Sequence, residues 1–424
     1  MASPRSTGDR GRAVTQFESM GASPPSQGAR FLPSEPILSL SQLLTRRRPP
    51  PPVFPFVEAR SRWYYFARNA VFHGIKLLGL GEGDVVLMPA YNHGVEVAAV
   101  LATGASVSFF RITPSLDIDF EDLRARISPR TKALLVIHYD GFPQPLEETA
   151  AFCHEHGLWL IEDCAQALFS TVDGQPLGST GTFSVFCLYK TLPLPHGGLL
   201  LLNDPSLGLP EEARPPGPIA AIRGIPQRLL DHTEMKHQTL GRWLRRSMRT
   251  PLRALIRRAP GGNVSVALED FDIGMVNLGA SSLAKRLAKG ADAQAIVRAR
   301  RRNFETLMAL VPRQRQLFDK LPRDVCPLIF PVLVEDKASA VRTLSRRGIE
   351  AIPFWSIPHP AVPMGAFPEA DYLRAHVLEV PVHQDLVPDD MAYLAAALAE
   401  VPAPAVRGRG NSTSRKGSTV PPSR

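Results

Sequence analysis

Residues 158–167 read Leu-Trp-Leu-Ile-Glu-Asp-Cys-Ala-Gln-Ala, an apolar run that leads into two acids. Residues 183–192 read Phe-Ser-Val-Phe-Cys-Leu-Tyr-Lys-Thr-Leu, a second apolar run that leads to a lysine 27 positions after Asp163. Short apolar runs of this kind are typical of strands buried on both faces of a parallel sheet. Because open α/β sheets bind ligands at the carboxyl ends of their strands, we expect Asp163 and Lys190 to share one crevice.

The same pattern extends on both sides of these two runs. Further short apolar runs occur, and helix-like stretches separate most of them. The apolar runs lie at 85–88, 106–110, 133–137 and 198–202, and the helix-like stretches lie at 94–102, 120–127 and 146–156. An alternation of strands and helices predicts an α/β fold with a large parallel sheet.

The pattern changes after about residue 205, where proline and arginine become frequent and no strong strand is evident. A long helical pattern at 281–310 and a short strand and helix pattern after it predict a second, smaller domain. We therefore predict four segments. They are a disordered, basic, proline-rich tail at 1–52, a large domain at 53–290 with a basic insertion near 205–260, a small C-terminal α/β domain at 291–401, and a disordered basic tail at 402–424.

The net charge of +9 is concentrated in the two predicted tails. Residues 1–52 contain seven arginines against three acids, and residues 402–424 contain five basic residues and no acid. The remaining body is therefore neutral, which disfavours a nucleic-acid-binding function. The four cysteines form no C-x-x-C pair, so we expect a reducing compartment, the cytoplasm, and no metal site.

An aspartate and a lysine in one crevice suit the chemistry of pyridoxal 5'-phosphate (PLP). A lysine amine forms a Schiff base with the cofactor's aldehyde, and an aspartate keeps the pyridine nitrogen protonated so that the ring withdraws electrons from the substrate. The alternative is that Asp163 is an ordinary strand-end acid and that Lys190 is a solvated loop residue. The spacing alone leaves both interpretations open.

Five landmarks, in order along the chain, resemble the DegT/DnrJ/StrS family of PLP-dependent sugar aminotransferases. They are GLGEGDVVLMP at 79–89, SPRTKALLVIH at 128–138, LIEDCAQA at 160–167, the glycine and lysine spacing of 178–198, and HVLEVPVH at 376–383. The resemblance implies an aspartate-aminotransferase-like fold, with a large, mostly parallel sheet domain and a small C-terminal α/β domain. It also implies PLP as cofactor and a homodimer.

The resemblance implies a role for each matching residue. Lys190 would be the catalytic residue, which carries the cofactor and moves the proton between substrate and cofactor. Asp163 would pair with the pyridinium nitrogen, and Gln166 would hydrogen-bond the ring's phenolic oxygen. His93 matches the position of the ring-stacking aromatic residue, with an ordinary loop histidine as the alternative. His138 would either lie near the cofactor or bond the backbone.

The sequence departs from the family at the phosphate and partner motifs. The family's Ser-Gly-Thr, which holds the phosphate, is replaced by Phe-Ala-Arg at 66–68. We expect Arg68 or Asn69 to take over this contact at a helix N-terminus. Ser184 would replace the family's phosphate serine if the chain shifts by one residue. The partner-subunit motif falls on 272–275 and lacks its arginine.

The leading functional hypothesis is an aminotransferase of sugar or polysaccharide biosynthesis. It would move an amino group from an amino acid, which we expect to be glutamate, to a nucleotide-linked keto-sugar. A sugar dehydratase of the same family is an alternative that Lys190 disfavours, because that branch has histidine there. A non-catalytic regulatory or scaffold protein is a second alternative. A Rossmann dehydrogenase is disfavoured because no G-x-G-x-x-G follows the first strand.

Residues 240–258 are not explained by the family pattern. Apolar residues recur there at spacings of three and four, among seven arginines and no acid. One interpretation is a helix that makes peripheral contact with an anionic membrane surface. The other is that the apolar stripe packs on the body and the arginine face is solvated. Pro251 would kink or split a helix in either case.

Overall fold

The computed structural model describes residues 28–44, 50–247 and 271–404. The predicted tails therefore lie largely outside the described residues, as do residues 248–258 of the basic segment. Residues 28–39 are described and packed: Leu32 is buried, and its backbone N–H donates to the carbonyl of Gly348. The packed chain thus includes a stretch before the predicted domain boundary at residue 53.

A seven-stranded sheet forms the centre of the large domain. Its order is β1-β9-β8-β5-β4-β2-β3. The strands are β1 (Ser61–Tyr64), β2 (Val85–Pro89), β3 (Ser106–Phe110), β4 (Thr131–Ile137), β5 (Trp159–Asp163), β8 (Phe183–Cys187) and β9 (Gly198–Leu202), and a small hairpin comprises β6 (Thr171–Val172) and β7 (Gln175–Pro176). The strands from β3 to β8 in the sheet order are parallel, and β9 is antiparallel to both of its neighbours. The predicted α/β class with a mostly parallel sheet is confirmed.

Helices alternate with these strands, and others form the insertion and the small domain. In the large domain they are α1 (Leu40–Leu44), α2 (Ala67–Leu77), α3 (Val95–Leu101), α4 (Phe120–Ala125), α5 (Leu146–His156), α6 (Leu188–Thr191), α7 (Pro218–Ile222), α8 (Ile225–Lys236) and α9 (238–247). After the gap they are α10 (Ser282–Lys289), α11 (Ala293–Leu310), α12 (Lys337–Arg346), α13 (Pro368–His376) and α14 (Pro388–Leu398).

The small domain is built around the antiparallel pair β10 (Ile329–Leu333) and β11 (Val377–Pro381). Apolar residues of these strands and of α11, α12 and α14 form a second hydrophobic cluster, which includes Phe304, Phe330, Leu344 and Leu394. The helix expected at 281–310 is divided into α10 and α11. Asp292 caps α11 by accepting a hydrogen bond from the N–H of Ala295 at 2.9 Å, which starts a new helix there.

The described part of the basic segment lies in α9, and its contacts differ from the interpretation in which the apolar stripe packs on the body and the arginines are solvated. Arg245 binds Asp231 and Glu234 of α8 at 2.7 and 2.5 Å, so this arginine faces the body. Trp243 is 62% exposed, so it does not pack on the body. Acids on the preceding helix thus attract the arginine side of α9. None of the described helices combines the length and the hydrophobicity needed to cross a bilayer.

Candidate active site

A cavity of about 320 Å³ opens at the carboxyl ends of β5 and β8. The start of α2, the loop before α3, the end of β5, and α6 supply its walls, and Trp355 of the small domain closes one side. The residues expected to share one crevice, Asp163 and Lys190, both line this cavity. The parallel arrangement of β5 and β8 explains this, because it brings their carboxyl ends to the same edge.

Lys190 lies on the short helix α6, directly after β8. The chain then returns through Gly197 and Gly198 into β9. Gly198 lies so close to the start of α2 that a Cβ there would be 2.5 Å from the backbone nitrogen of Ala67. Only glycine allows this approach, and Gly197 has a positive φ of 150° that also favours glycine. The two glycines therefore hold the N-terminus of α2 beside the cavity.

Asp163 is the last residue of β5, and it is buried at the cavity wall. Its Oδ1 accepts a hydrogen bond from the N–H of Ala165 at 2.8 Å. Burial raises the pKa of this carboxyl, and the N–H of Ala165 and the charge of Lys190 oppose that effect. The cavity thus contains a fixed acid whose charge depends on the donors and cations around it.

Glu162, one residue earlier, points to the opposite face of the sheet, as alternation along a strand requires. It accepts hydrogen bonds from the N–H groups of Gly178, Thr180 and Gly181. His138 donates to it from Nε2 at 3.0 Å, while the histidine's Nδ1 accepts from the N–H of Gln144. Burial alone would raise the pKa of Glu162, but these donors outweigh it and lower that pKa. His138 therefore helps to hold Glu162 and the backbone at Gln144 in place. Of the two alternatives that the sequence left open for His138, this is the bond to the backbone.

Gln166 lines the cavity and is almost fully buried. Its Oε1 accepts from the N–H of Asp140 at 3.0 Å, which fixes the orientation of the amide. Its Nε2 is buried and has no hydrogen-bond partner among the described residues. An unpaired buried donor costs free energy unless a ligand satisfies it, so this amide fits a bound acceptor such as a phenolic oxygen.

His93 lies in the loop before α3 and also lines the cavity. Burial, with smaller contributions from the charges of Lys190, Arg68 and Arg374, lowers the pKa of His93 to about 3. The ring is therefore neutral at physiological pH, as a ring stacked on a cofactor would be. Trp355 approaches it edge-on, with the ring centroids 6.3 Å apart.

Arg68 and Asn69, the two candidates for the phosphate contact, lie on different sides of α2. Arg68 lines the cavity, where burial lowers its pKa and its guanidinium stands 4.8 Å from the centre of the Phe66 ring. Asn69 instead donates from Nδ2 to the carbonyl of Met275 at 2.8 Å. Asn69 thus anchors the segment 271–277, and only Arg68 is placed to meet a phosphate in the cavity.

Ser184 does not line the cavity. Its hydroxyl donates to the carbonyl of Gly178 at 2.6 Å, on the side of the sheet where Glu162 lies. Val185 occupies the cavity side, and it pairs with Asp163 in the sheet register. A one-residue offset along a strand reverses the face, so the expected shift that would bring Ser184 to the phosphate does not occur.

The sequence reasoning did not identify Glu96, Tyr189 and Trp355 as cavity residues. Glu96 had a recognisable signal, because it is the only aspartate, glutamate, lysine or arginine between Val85 and Phe110, a stretch that is otherwise mostly apolar. Trp355 had none, since it comes from a loop of the small domain 165 residues after Lys190. The Trp355 backbone has a positive φ of 46°, a conformation that is uncommon for a bulky residue and that the sequence does not indicate.

The chain is similar to curated sugar-modifying enzymes over part of its length. It is 33% identical over 138 residues to a GDP-perosamine synthase of Vibrio cholerae, which is 32% of this chain and 38% of that protein. It is 36% identical over 141 residues to the dTDP-4-dehydro-2,3,6-trideoxy-D-glucose 4-aminotransferase of Saccharopolyspora spinosa, or 32% and 37% of the two chains. The matched region thus spans less than half of these relatives.

Solved structures show the same fold. The structure of AtS13 from Actinomadura melliaura superposes with a TM-score of 0.59 at 22% identity, covering 88% of this chain and 99% of that one. Helicobacter pylori PseC, an aminotransferase, gives a TM-score of 0.59 at 16% identity, with 88% and 98% covered. The sequence profile of the DegT/DnrJ/EryC1/StrS aminotransferase family matches residues 67–399. The chain therefore belongs to the DegT/DnrJ/EryC1/StrS aminotransferase family.

Proposed function

We propose that this protein is a PLP-dependent aminotransferase that moves an amino group from glutamate to a nucleotide-linked keto-sugar. The observation that carries the proposal is a single cavity in which Lys190, Asp163 and the unpaired amide of Gln166 meet. The family membership supports the reaction type. Incubation of the purified protein with PLP and then with glutamate tests it by absorption spectroscopy.

PLP, when bound, supplies an electron-withdrawing ring and an aldehyde that accepts amines. In this cavity, Lys190 offers the amine and moves a proton at its Nζ. Asp163 offers a negative charge to a ring nitrogen, and the Gln166 amide offers a hydrogen bond to a phenolic oxygen. His93 offers a neutral aromatic surface. The surrounding apolar wall, which includes Val185 and Trp355, restricts the access of water.

The nature of the acceptor rests on the similar proteins. The names of the two relatives from Vibrio cholerae and Saccharopolyspora spinosa refer to GDP- and dTDP-linked sugars, each a sugar on a nucleoside diphosphate. We propose the same class of acceptor here. All four cysteines are free and buried, which fits a reducing compartment, and we place the reaction in the cytoplasm.

We predict that Arg68 binds the phosphate of the cofactor. Replacing Arg68 with glutamine should weaken the affinity for PLP relative to pyridoxal, which lacks the phosphate, by about tenfold or more, because a charge-assisted hydrogen bond is lost. Equilibrium dialysis of both compounds measures the ratio. Asn69→Ala is the matched control, since it lies next in the helix but bonds Met275 and should leave the ratio unchanged. An unchanged ratio in Arg68→Gln would assign the phosphate to another group.

We also propose a homodimer in which residues 271–277 approach the partner subunit. Ile273 at the tip of this segment is 60% exposed, although the segment is anchored to α2 through Asn69. Sedimentation velocity at micromolar concentration should show a dimer, and Ile273→Asp should weaken it by about tenfold or more. Met364→Asp, at an exposed site in a loop of the small domain, is the control. A fully active monomer would refute a shared interface.

A further inference from the structure

Glu96 is a second buried carboxyl group in the candidate active site, and the roles proposed above do not use it. It lies in the first turn of α3, is 4% exposed, and lines the same cavity as Asp163. Its Oε1 accepts a hydrogen bond from the N–H of His93 at 2.9 Å. This bond fixes the carboxyl at the cavity wall, just as the N–H of Ala165 fixes Asp163.

Two buried carboxyl groups in one small cavity repel each other when both are ionised. Burial, and then the charge of Asp163, raise the pKa of Glu96 to about 7. The backbone N–H groups at Glu96 and His93 and the charge of Lys190 act in the opposite direction and do not cancel the rise. The charged or titratable side chains around Glu96 are Asp163 at the end of β5, Lys190 on α6, His93 before α3, Arg68 on α2, Tyr139 after β4 and Arg374 on α13.

We propose that Glu96 and Asp163 form a pair that holds one proton and one negative charge up to neutral pH, with the proton on Glu96. Asp163 then carries the negative charge, because the aspartate carboxyl is intrinsically the stronger acid. Glu96 is a positioning residue. Because it holds the proton, the pair carries one negative charge and not two, and that negative charge lies on Asp163. The consequence for catalysis rests on the proposed role of Asp163 beside a pyridine nitrogen.

The pair also explains how a buried glutamate is tolerated in the first turn of α3. An ionised acid at the start of a helix is normally stabilised by the helix dipole. Here the cavity is buried and already contains Asp163, so ionisation of Glu96 is opposed. As the pH rises through about 7, Glu96 loses its proton and the cavity acquires a second negative charge. The arrangement therefore has two charge states within the physiological pH range.

Infrared spectroscopy of the protein without cofactor tests the pair, because a protonated carboxyl has a C=O band that a carboxylate lacks. The band assigned to Glu96 is the one that Glu96→Gln removes. Glutamine keeps the oxygen that accepts from the N–H of His93, so the loop contact is preserved. We expect this band to disappear with a midpoint near pH 7. In Asp163→Asn the midpoint should fall by about one pH unit or more, because the neighbouring negative charge is gone.

Glu350→Gln supplies the matched control. Glu350 is also a carboxyl whose pKa is raised to about 7, by burial and then by Asp231, but it does not line the cavity. Its band should keep its midpoint in Asp163→Asn. If Asp163→Asn removed the neutral-pH band and Glu96→Gln left it, the proton would lie on Asp163 and the proposal would be overturned. An unchanged Glu96 midpoint in Asp163→Asn would show that the two groups are not coupled.

These outcomes do not depend on PLP, so they are separate from the proposed reaction. Circular dichroism of Asp163→Asn and Glu96→Gln verifies that both fold. The Glu96 band of the wild-type protein, assigned by its loss in Glu96→Gln, gives a second check. A glutamate band already absent at about pH 5.5 would contradict a proton held to neutral pH.

Discussion

Replacing Lys190 with alanine is expected to reduce transamination by at least about a thousandfold, because the residue supplies both the amine nucleophile and the group that moves the proton. No second side chain in the cavity offers an amine among the residues that line it. The measurement is single-turnover formation of keto acid from glutamate by protein loaded with PLP. Circular dichroism shows whether the variant is folded.

Lys337 provides the matched control for this substitution. It is a buried lysine whose pKa is lowered to about 7, mainly by burial, so its amine is also available as a nucleophile. Its Nζ donates to the carbonyl of Phe354 at 2.8 Å, and it does not line the cavity. Borohydride reduction of the loaded protein should therefore label Lys190 and not Lys337. Near-normal turnover in Lys190→Ala, or a label on Lys337, would show that the cavity is not the reaction site.

Replacing Asp163 with asparagine is expected to lower kcat by about a hundredfold to a thousandfold, the range seen when one preorganised electrostatic contact is removed. Asparagine has nearly the same shape and can still accept from the N–H of Ala165. It has no negative charge, so it cannot hold a proton on a facing ring nitrogen. Cofactor retention is measured in the same samples, so that loss of PLP is separated from loss of catalysis. A variant that retains PLP and wild-type kcat would exclude the assigned role.

The sequence predicted the parts of the site that follow from strand topology. Asp163 and Lys190 come directly after buried strands, and parallel strands place such residues at one edge. Gln166 follows Asp163 by three residues, so the same strand end positions it. The family resemblance added the specific chemistry. Together they predicted the crevice that Asp163 and Lys190 line.

The sequence did not predict features that depend on the direction of a side chain or on contacts between residues distant along the chain. Ser184 and Val185 differ only by one position in β8, yet the pleat sends one to Gly178 and the other into the cavity. Arg68 and Asn69 are also neighbours in the chain, but the rotation of α2 directs Arg68 into the cavity and Asn69 to the carbonyl of Met275. A motif alignment does not contain this information, because it records residue order and not the direction of side chains.

Long-range partners explain the other differences. Arg245 of α9 was expected to lie on a face exposed to solvent or to a membrane, but Asp231 and Glu234 on α8 bind it. Residues 28–39 resembled a tail in composition, yet their backbone pairs with the small domain near Gly348. In both cases the decisive group lies on a different element, and local composition gives no indication of it.

The absorption spectrum of the purified protein, recorded with PLP and then with glutamate, tests the assignment of this cavity most directly. We expect a visible band from cofactor bound covalently at Lys190. Glutamate should replace that band with the shorter-wavelength absorption of the cofactor's amine form, and Lys190→Ala should lack the visible band. A protein that remains colourless after incubation with PLP would contradict the proposed function, whatever the outcome for Glu96.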